Sequence, residues 1–210
     1  MINIFIADDH ELVREGLKKI LKEEKDIKIV GEAQNASEVL EKMRSIDCDI
    51  ILLDMNMPGR SGIDLITDLK LMKPQLRILV LSIHPEDHYA LRTLKAGASG
   101  YISKDTALDE LVLAIRKIYT RGRYLSSALA EQLAFDIGPD VNQLPHESLS
   151  NRELEIMCMI ASNKAIKVIA AELSLSISTV NTYRARIFEK LNIKSNVELT
   201  HYAMDNHLVD

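Results

Sequence analysis

The stretch Ile50-Ile51-Leu52-Leu53-Asp54-Met55-Asn56-Met57-Pro58-Gly59 decides how the first half of the chain folds. Its first four residues are apolar without alternation, so both faces of the strand they form must be covered. That is the pattern of a central strand in a parallel sheet with helices on either side. Asp54 then ends the apolar run, and Pro58-Gly59 breaks the chain before the next periodic segment. Working outward, comparable short runs occur at Ile2–Ala7, Ile27–Gly31, Ile78–Leu81 and Gly100–Ile102. Helix-like segments lie between them, near 11–24, 36–45, 62–72, 86–96 and 107–120. In the last of these, Leu108, Leu111, Val112, Ile115 and Ile118 recur at helical spacing, behind a capping-box pattern at Thr106 and Asp109. Five β-α units in residues 1–120 predict an α/β fold, a doubly wound five-stranded parallel sheet.

Composition narrows the class without naming a function. The 210 residues are 47% hydrophobic, enough for two modest cores. Lys and Arg number 26 against 31 Asp and Glu, a formal charge of -5, so a nucleic acid must be met by a local basic patch. The N-terminus MINIFIADDH has no positive n-region, and the longest apolar run is Ile156 to Ala161. A secretory signal and a bilayer span are therefore not expected, and the expectation is a cytoplasmic protein without membrane contact. Cys48 and Cys158 lack metal-ligand spacing and read as free, mostly buried thiols.

Regularity lapses over residues 121–145, a linker in which Ser126-Ser127 can cap a short helix through Phe135. Gly138-Pro139 and Pro145 then interrupt the chain. A new start signal follows in Leu149-Ser150-Asn151-Arg152-Glu153-Leu154, with Ser150 and Glu153 as capping box and Leu149 and Leu154 at staple positions. Residues 146–210 read as a small all-α domain. AIKVIAAEL, residues 165–173, places Ile166, Ile169, Ala170 and Leu173 on one helical face. A tight Ser174-Leu175 turn leads to Ser176, the N-cap of a helix through Leu191. Val180, Ile187 and Leu191 mark its buried side, leaving Ser178, Thr179, Asn181, Thr182, Ala185 and Arg186 outward. Two short helices joined by a tight turn, the second rich in outward polar groups, predict a helix-turn-helix. The interval 164–194 holds Lys164, Lys167, Arg184, Arg186, Lys190 and Lys194 against Glu172 and Glu189, a local excess of positive charge. A solvated helix face carries similar charge, so charge alone does not separate the two readings.

In parallel α/β sheets, ligands bind beyond the carboxyl ends of the strands. Asp8 and Asp9 follow the first strand, Asp54 the third, Ser82 the fourth and Lys104 the fifth. Each alone reads as a helix cap or a turn residue. Together at one sheet edge, three acids, a hydroxyl and an amine suit Mg²⁺ and a phosphoryl group. Asp54 is then the nucleophile toward phosphorus, while Lys104 and Ser82 hold phosphoryl oxygens.

These residues carry a family resemblance. The acidic pair, LLDMNMPG, Ser82 and Lys104 make residues 1–120 resemble the receiver domain of two-component response regulators, which implies a flavodoxin/CheY-like fold. LSNRELEI and IKVIAAELSLSISTVNTYRARIFEKLNI resemble the LuxR-type helix-turn-helix. The whole chain is similar to the NarL/FixJ class, its wording nearest the GacA/UvrY branch. The resemblance implies a bacterial DNA-binding transcription factor activated by Mg²⁺-dependent phosphorylation of Asp54 from a sensor histidine kinase. It implies Asp9 as a direct Mg²⁺ ligand, Asp8 acting through water, and the Asn56 backbone carbonyl completing the set. Ser82 and Tyr101 match the switch pair, although Tyr101 also reads as a plain core aromatic. Asn56 and His84 would flank the phosphoryl pocket and tune dephosphorylation, although His84 also reads as an exposed-loop residue. Asp105 follows Lys104 where many receivers have proline, so their cis prolyl bond is not carried over.

In the second domain the implied DNA contacts are Lys167, Ser178, Thr179, Asn181, Thr182, Arg184, Ala185, Arg186, Lys190 and Lys194. Many family members have Lys and His where this chain has Asn181 and Tyr183. Asn pairs bidentately with adenine and Lys commonly reads guanine, so the operator is not copied from relatives. The implied partners are promoter double-stranded DNA, RNA polymerase and, on phosphorylation, a second copy of the chain. A helix near Asn196–Asn206 carries Val197, Leu199, Tyr202 and Ala203, which either meet that copy or pack on the domain's own first helix. Two other readings compete. An aspartate-nucleophile phosphatase of the haloacid dehalogenase type needs an Asp where Asn56 stands. Against a receiver that docks protein or binds RNA stands only the helical face with Arg184 and Arg186.

Overall fold

The computed structural model describes residues 1–58, 60–82, 88–104, 107–126, 129–130, 144–206 and 208–209. The chain divides into two compact units, Met1–Leu133 and Ala134–Asp210. In the first, β1 (Ile2–Ala7), β2 (Ile27–Ala33), β3 (Ile50–Asp54), β4 (Arg77–Ser82) and β5 (Gly100–Ser103) alternate with five helices. These are α1 (Glu11–Lys22), α2 (Ala36–Lys42), α3 (Gly62–Met72), α4 (His88–Lys95) and α5 (Ala107–Arg121). The strands form one parallel sheet in the order β2-β1-β3-β4-β5.

That order reverses direction between β1 and β3, and the reversal opens the crevice in which such sheets bind ligands. β3 is the central strand, as its unbroken apolar run requires, and all five of its residues are buried. Ile50 and Leu52 join a core with Ile4, Ile6, Leu17, Leu111 and Ile115. Their neighbours Ile51 and Leu53 alternate to the other face, since successive strand side chains point oppositely. β2 runs two residues beyond its expected end because Glu32 and Ala33 stay in register with Ile6 and Ala7. Asn35 caps α2 through Glu38 N. Gly62 opens α3 so close to Met55 that a Cβ there would lie 2.7 Å from Met55 Cε and 2.9 Å from its carbonyl oxygen. Only glycine lets α3 lean on the loop that follows Asp54.

The second unit opens with a 3₁₀ turn, Pro145–Ser148, followed by α6 (Asn151–Ala161), α7 (Ile166–Glu172), α8 (Ile177–Leu191) and α9 (Asn196–Asp205). The Ser150–Glu153 capping box is formed, and Leu149 and Leu154 are both buried. Ser174 and Asn192 take left-handed backbone at the ends of α7 and α8, with φ 54° at each. Ser176 caps α8 through Thr179 N. Val180, Ile187 and Leu191 are buried as expected. The helix expected from Ser126 to Phe135 lies largely outside the described residues, as do His84, Asp105 and Thr106. Ser126 Oγ does accept a hydrogen bond from Leu129 N at 3.2 Å. Among the described residues no helix is long and apolar enough to cross a membrane.

Lys190 is exposed near the end of α8 and also reaches back to the start of α6. Its ammonium lies 2.6 Å from Glu153 Oε2 and 3.3 Å from the Ser148 carbonyl. Glu153 is buried, and the same oxygen accepts from Ser150 N at 2.7 Å and Ser150 Oγ at 2.9 Å. Burial raises the Glu153 pKa, but Lys190 and Ser150 outweigh it and hold the carboxyl below its usual range. The lysine therefore ties the C-terminal end of α8 to the start of α6. Lys190→Ala should lower unfolding stability by ~1–3 kcal/mol, because a buried carboxylate loses its cation. Urea unfolding of residues 134–210 within the whole chain reads this, and an unchanged midpoint would place Lys190 on the surface alone.

Candidate functional site

The carboxyl end of the sheet gathers the acidic residues. Asp8 N donates to the Ala33 carbonyl at 3.1 Å, and Arg14 Nη1 donates to the Asp8 carbonyl at 2.8 Å. His10 N donates to Asp8 Oδ1 at 2.8 Å. The turn from β1 into α1 is thus fixed on both sides, and Asp8 is buried. Asp54, the last residue of β3, is 1% exposed and accepts from Asn56 N at 3.3 Å. Lys104 leaves β5 with its amide donating to the Ser82 carbonyl at 2.7 Å. Its ammonium lies 2.8 Å from Asp8 Oδ2 and 3.1 Å from Asp54 Oδ2.

One cation therefore serves two buried carboxylates. Burial pushes the Asp54 carboxyl up to about 6; Lys104 opposes the rise and the Asp8 charge reinforces it. Burial likewise works against the Lys104 charge, but Asp54 and Asp8 outweigh it and keep the amine above its usual pKa. Neither Asp54 Oδ2 nor Asp9 Oδ1 receives a well-directed hydrogen bond among the described residues. Ligand atoms of Asp8, Asp9, His10 and Asp54 all lie within 4.8 Å of one another. This donor set, mostly hard oxygen with excess negative charge, fits a divalent cation.

All five residues read from the sequence, Asp8, Asp9, Asp54, Ser82 and Lys104, thus end at the same sheet edge. Ser82 is buried at the end of β4. Tyr101 is wholly buried in β5, paired in register with Val80. Sequence reasoning missed His10, whose Nδ1 lies 2.8 Å from Asp9 Oδ1 and 3.5 Å from Asp8 Oδ1. Its signal was present: it is the residue directly after the acidic pair.

The second unit presents a different surface. On α8, Ser178, Thr182, Ala185 and Arg186 are exposed, and Thr179, Asn181, Tyr183 and Arg184 are partly exposed. Arg184 lies over the Phe188 ring, 5.9 Å from its centroid. Lys167 on α7 and Lys194 beyond α8 are exposed, whereas Lys164 pairs with Glu172 at 2.7 Å. In α9, Leu199 and Ala203 are buried against α6, the packing alternative, and the Tyr202 hydroxyl accepts from His146 N at 3.2 Å. Val197 stays 66% exposed.

Comparison with known proteins agrees with both units. Residues 4–116 match the response regulator receiver domain, and residues 147–203 match the bacterial regulatory proteins of the luxR family. The response regulator UvrY of Escherichia coli K12 is 42% identical over 209 residues, covering 99% of this chain and 96% of that protein. The response regulator GacA of Pseudomonas viridiflava is 40% identical over 211 residues, covering 100% and 99%. Among solved structures, the RcsB response regulator of Salmonella typhimurium superposes with a TM-score of 0.71 at 25% identity, covering 97% of each chain. RcsB of Salmonella enterica serovar Typhimurium, bound to promoter P1flhDC with phosphomimetic BeF3-, superposes at 0.67 with 26% identity, covering 97% of this chain and 98% of that one. Sheet order, strand-end acids, helix-turn-helix and full-length likeness converge: the chain belongs to the two-component response regulators, a receiver joined to a LuxR-type DNA-binding domain of the transcription regulators.

Proposed function

We propose that Asp54 accepts a phosphoryl group from a sensor histidine kinase, with Mg²⁺ held by Asp8, Asp9, Asp54 and the Asn56 backbone carbonyl. The observation that carries this is the Lys104 ammonium within 3.1 Å of both Asp8 and Asp54 at the sheet's switch point. The bond from an Asp54 carboxylate oxygen to phosphorus forms as the phosphorus–nitrogen bond of the donor phosphohistidine breaks, the kinase imidazole keeping the electron pair. When bound, Mg²⁺ supplies charge that offsets the carboxylates and the phosphoryl oxygens. Lys104 pairs with one phosphoryl oxygen, and Ser82 hydrogen-bonds another. Ser82 and Tyr101 form the switch pair, so phosphorylation selects one arrangement of β4 and β5. On this reading residues 1–120 are the receiver, 121–145 the linker and 146–210 the DNA-binding domain of a cytoplasmic protein.

In the second domain, Asn181, Thr182 and Arg184 face the major groove of promoter DNA, and Ser178, Thr179, Ala185 and Arg186 line the same face. Lys167, Lys190 and Lys194 meet phosphates, Lys190 exchanging part of its contact with Glu153 for the duplex. Phosphorylation promotes a two-fold dimer that reads an inverted repeat, and RNA polymerase is recruited from there. The solved complex of RcsB with a promoter in the presence of BeF3- supports this assignment.

Incubation with a phosphorylated kinase domain and Mg²⁺ should label wild-type protein and leave a folded Asp54→Asn variant unlabelled. Label on that variant would put the nucleophile elsewhere. Asp9→Ala should weaken Mg²⁺ binding because a direct carboxylate ligand is removed.

The buried Asp54 charge also sets a pH dependence. Unfolded, Asp54 loses its proton near pH 4; folded and free of divalent cation, it holds it to about 6. The unfolded state thus binds fewer protons in that window, and stability falls as pH rises through it, by about 3 kcal/mol in all. Asp54→Asn removes this loss, so in chelator its stability gain over wild type should grow from pH 4 to pH 7. A gain independent of pH would mean that Asp54 ionises as if exposed.

Asn181→Ala should cost roughly 1–3 kcal/mol at one operator position and nothing on random duplex. Titration of operator and random DNA with phosphorylated and unmodified protein, followed by sedimentation, reads this and the dimer together. Equal affinities for both sequences would reverse the orientation of α8, and equal mass for both forms would remove the dimer.

A further inference from the structure

We propose that His10 is a nitrogen ligand of the cation site, and that through it the receiver holds imidazole-binding divalent transition ions more tightly than its carboxylates alone would, while Mg²⁺ gains little. The inference rests on the cation site described above and adds to it a fourth side chain and a selectivity. His10 is the N-cap of α1 with extended backbone, φ -87° and ψ 112°, and its side chain makes no capping bond to the helix. That backbone turns the ring back over the Asp8-Asp9 pair, with Nδ1 2.8 Å from Asp9 Oδ1 and 3.5 Å from Asp8 Oδ1.

The His10 nitrogen and the Asp9 oxygen face each other at ion-pair distance, close enough for both to reach one shared cation. Asp9 Oδ1 lacks a well-directed donor despite the nearby ring nitrogen, and buried Asp54 Oδ2 lacks one despite Lys104. The ligand atoms of all four residues fall within 4.8 Å of one another. Around a six-coordinate ion with bonds of about 2.1 Å, adjacent ligands lie about 3 Å apart and opposite ones about 4.2 Å. The spread is therefore wider than a filled shell by a fraction of an ångström, which side-chain rotation closes. His10 is 65% exposed, so its ring is free to move that far without disturbing the core.

The consequence is chemical selectivity. Mg²⁺ favours oxygen and retains water, so an imidazole adds little to its binding. For first-row transition ions a neutral imidazole is a strong donor, and affinity rises from Mn²⁺ through Co²⁺ to Ni²⁺. One nitrogen among three carboxylates separates the two classes of ion at a site that oxygen alone leaves to charge and size.

Cation binding to the unphosphorylated full-length chain tests this, with Co²⁺ and Mg²⁺ measured separately by calorimetry and the visible Co²⁺ bands recorded. His10→Ala should weaken Co²⁺ by at least about tenfold and shift its bands, while Mg²⁺ weakens by less than about threefold. His10→Gln, which keeps bulk and polarity, should behave like His10→Ala. Asp9→Ala should weaken both ions and serves as the control on the site itself. If Asp9→Ala changes neither ion, the cation site is misplaced and this inference falls with it. If Asp9→Ala weakens both but the His10 variants leave the Co²⁺ affinity and bands intact, or weaken both ions equally, His10 is no ligand and the site stands.

Discussion

Two buried carboxylates held against one partly exposed ammonium constrain everything else in the first unit. Asp8 and Asp54 are each 1% exposed, and removing such charges from water costs several kcal/mol apiece unless they are paired. Pairing requires Lys104 within reach of both, although β1, β3 and β5 are not all neighbours. The order β2-β1-β3-β4-β5 solves this by placing β1 beside β3 at the centre. The long lysine side chain, reaching past β4, then meets Asp54 at the end of β3 and Asp8 just beyond it. One positive charge still cannot balance Asp8, Asp9 and Asp54. Burial above all raises the Asp54 pKa, the Asp8 charge adds to the rise, and the unbalanced negative charge favours a further cation at this edge.

The same logic operates on a smaller scale in the helical unit. Glu153 is buried because it completes the capping box of α6, where its carboxylate also meets the positive end of the helix dipole. A buried carboxylate needs a cation, and Lys190 supplies it from α8. The recognition helix is thereby fixed at its C-terminal end by an ion pair. At its N-terminal end it is fixed by Ser176 and by the left-handed Ser174 turn. A helix that must present side chains to a rigid groove gains from being held at both ends, because lost orientation is lost base contact.

Most of the sheet was legible in the sequence because parallel strands are buried on both faces and need apolar runs that nothing else explains. Ile50 to Leu53 alone implied a central strand, and the strand-end acids followed from where the runs stop. Strand order was not legible locally, since pairing partners lie far apart in the chain; it followed from the family resemblance. The ion pair of Lys190 was hidden for a related reason: its exposure on a helical wheel says nothing about Glu153, 37 residues away. The fate of α9 was open in sequence, because Leu199 and Ala203 share a face and any apolar face can serve a neighbour or a partner. His10 escaped notice because a histidine beside two acids is an ordinary surface feature until distances are known.

The ion pair of Lys190 bears on how the helical unit can bind DNA. Of the six basic residues between 164 and 194, Lys190 pairs with Glu153 and Lys164 with Glu172. Lys167, Arg184, Arg186 and Lys194 make no ion pair among the described residues. If Lys167 and Lys194, the unpaired lysines proposed to meet phosphates, make two such contacts, the salt slope is only about -1.8 per copy, on a chain whose net charge of -5 repels the duplex elsewhere. Two copies double that slope, and the second copy then binds at a high effective concentration, raising avidity by ~10²–10⁴. A receiver that changes the association state of the chain therefore acts where the helical unit is weakest: it supplies the charge that one copy of α8 lacks.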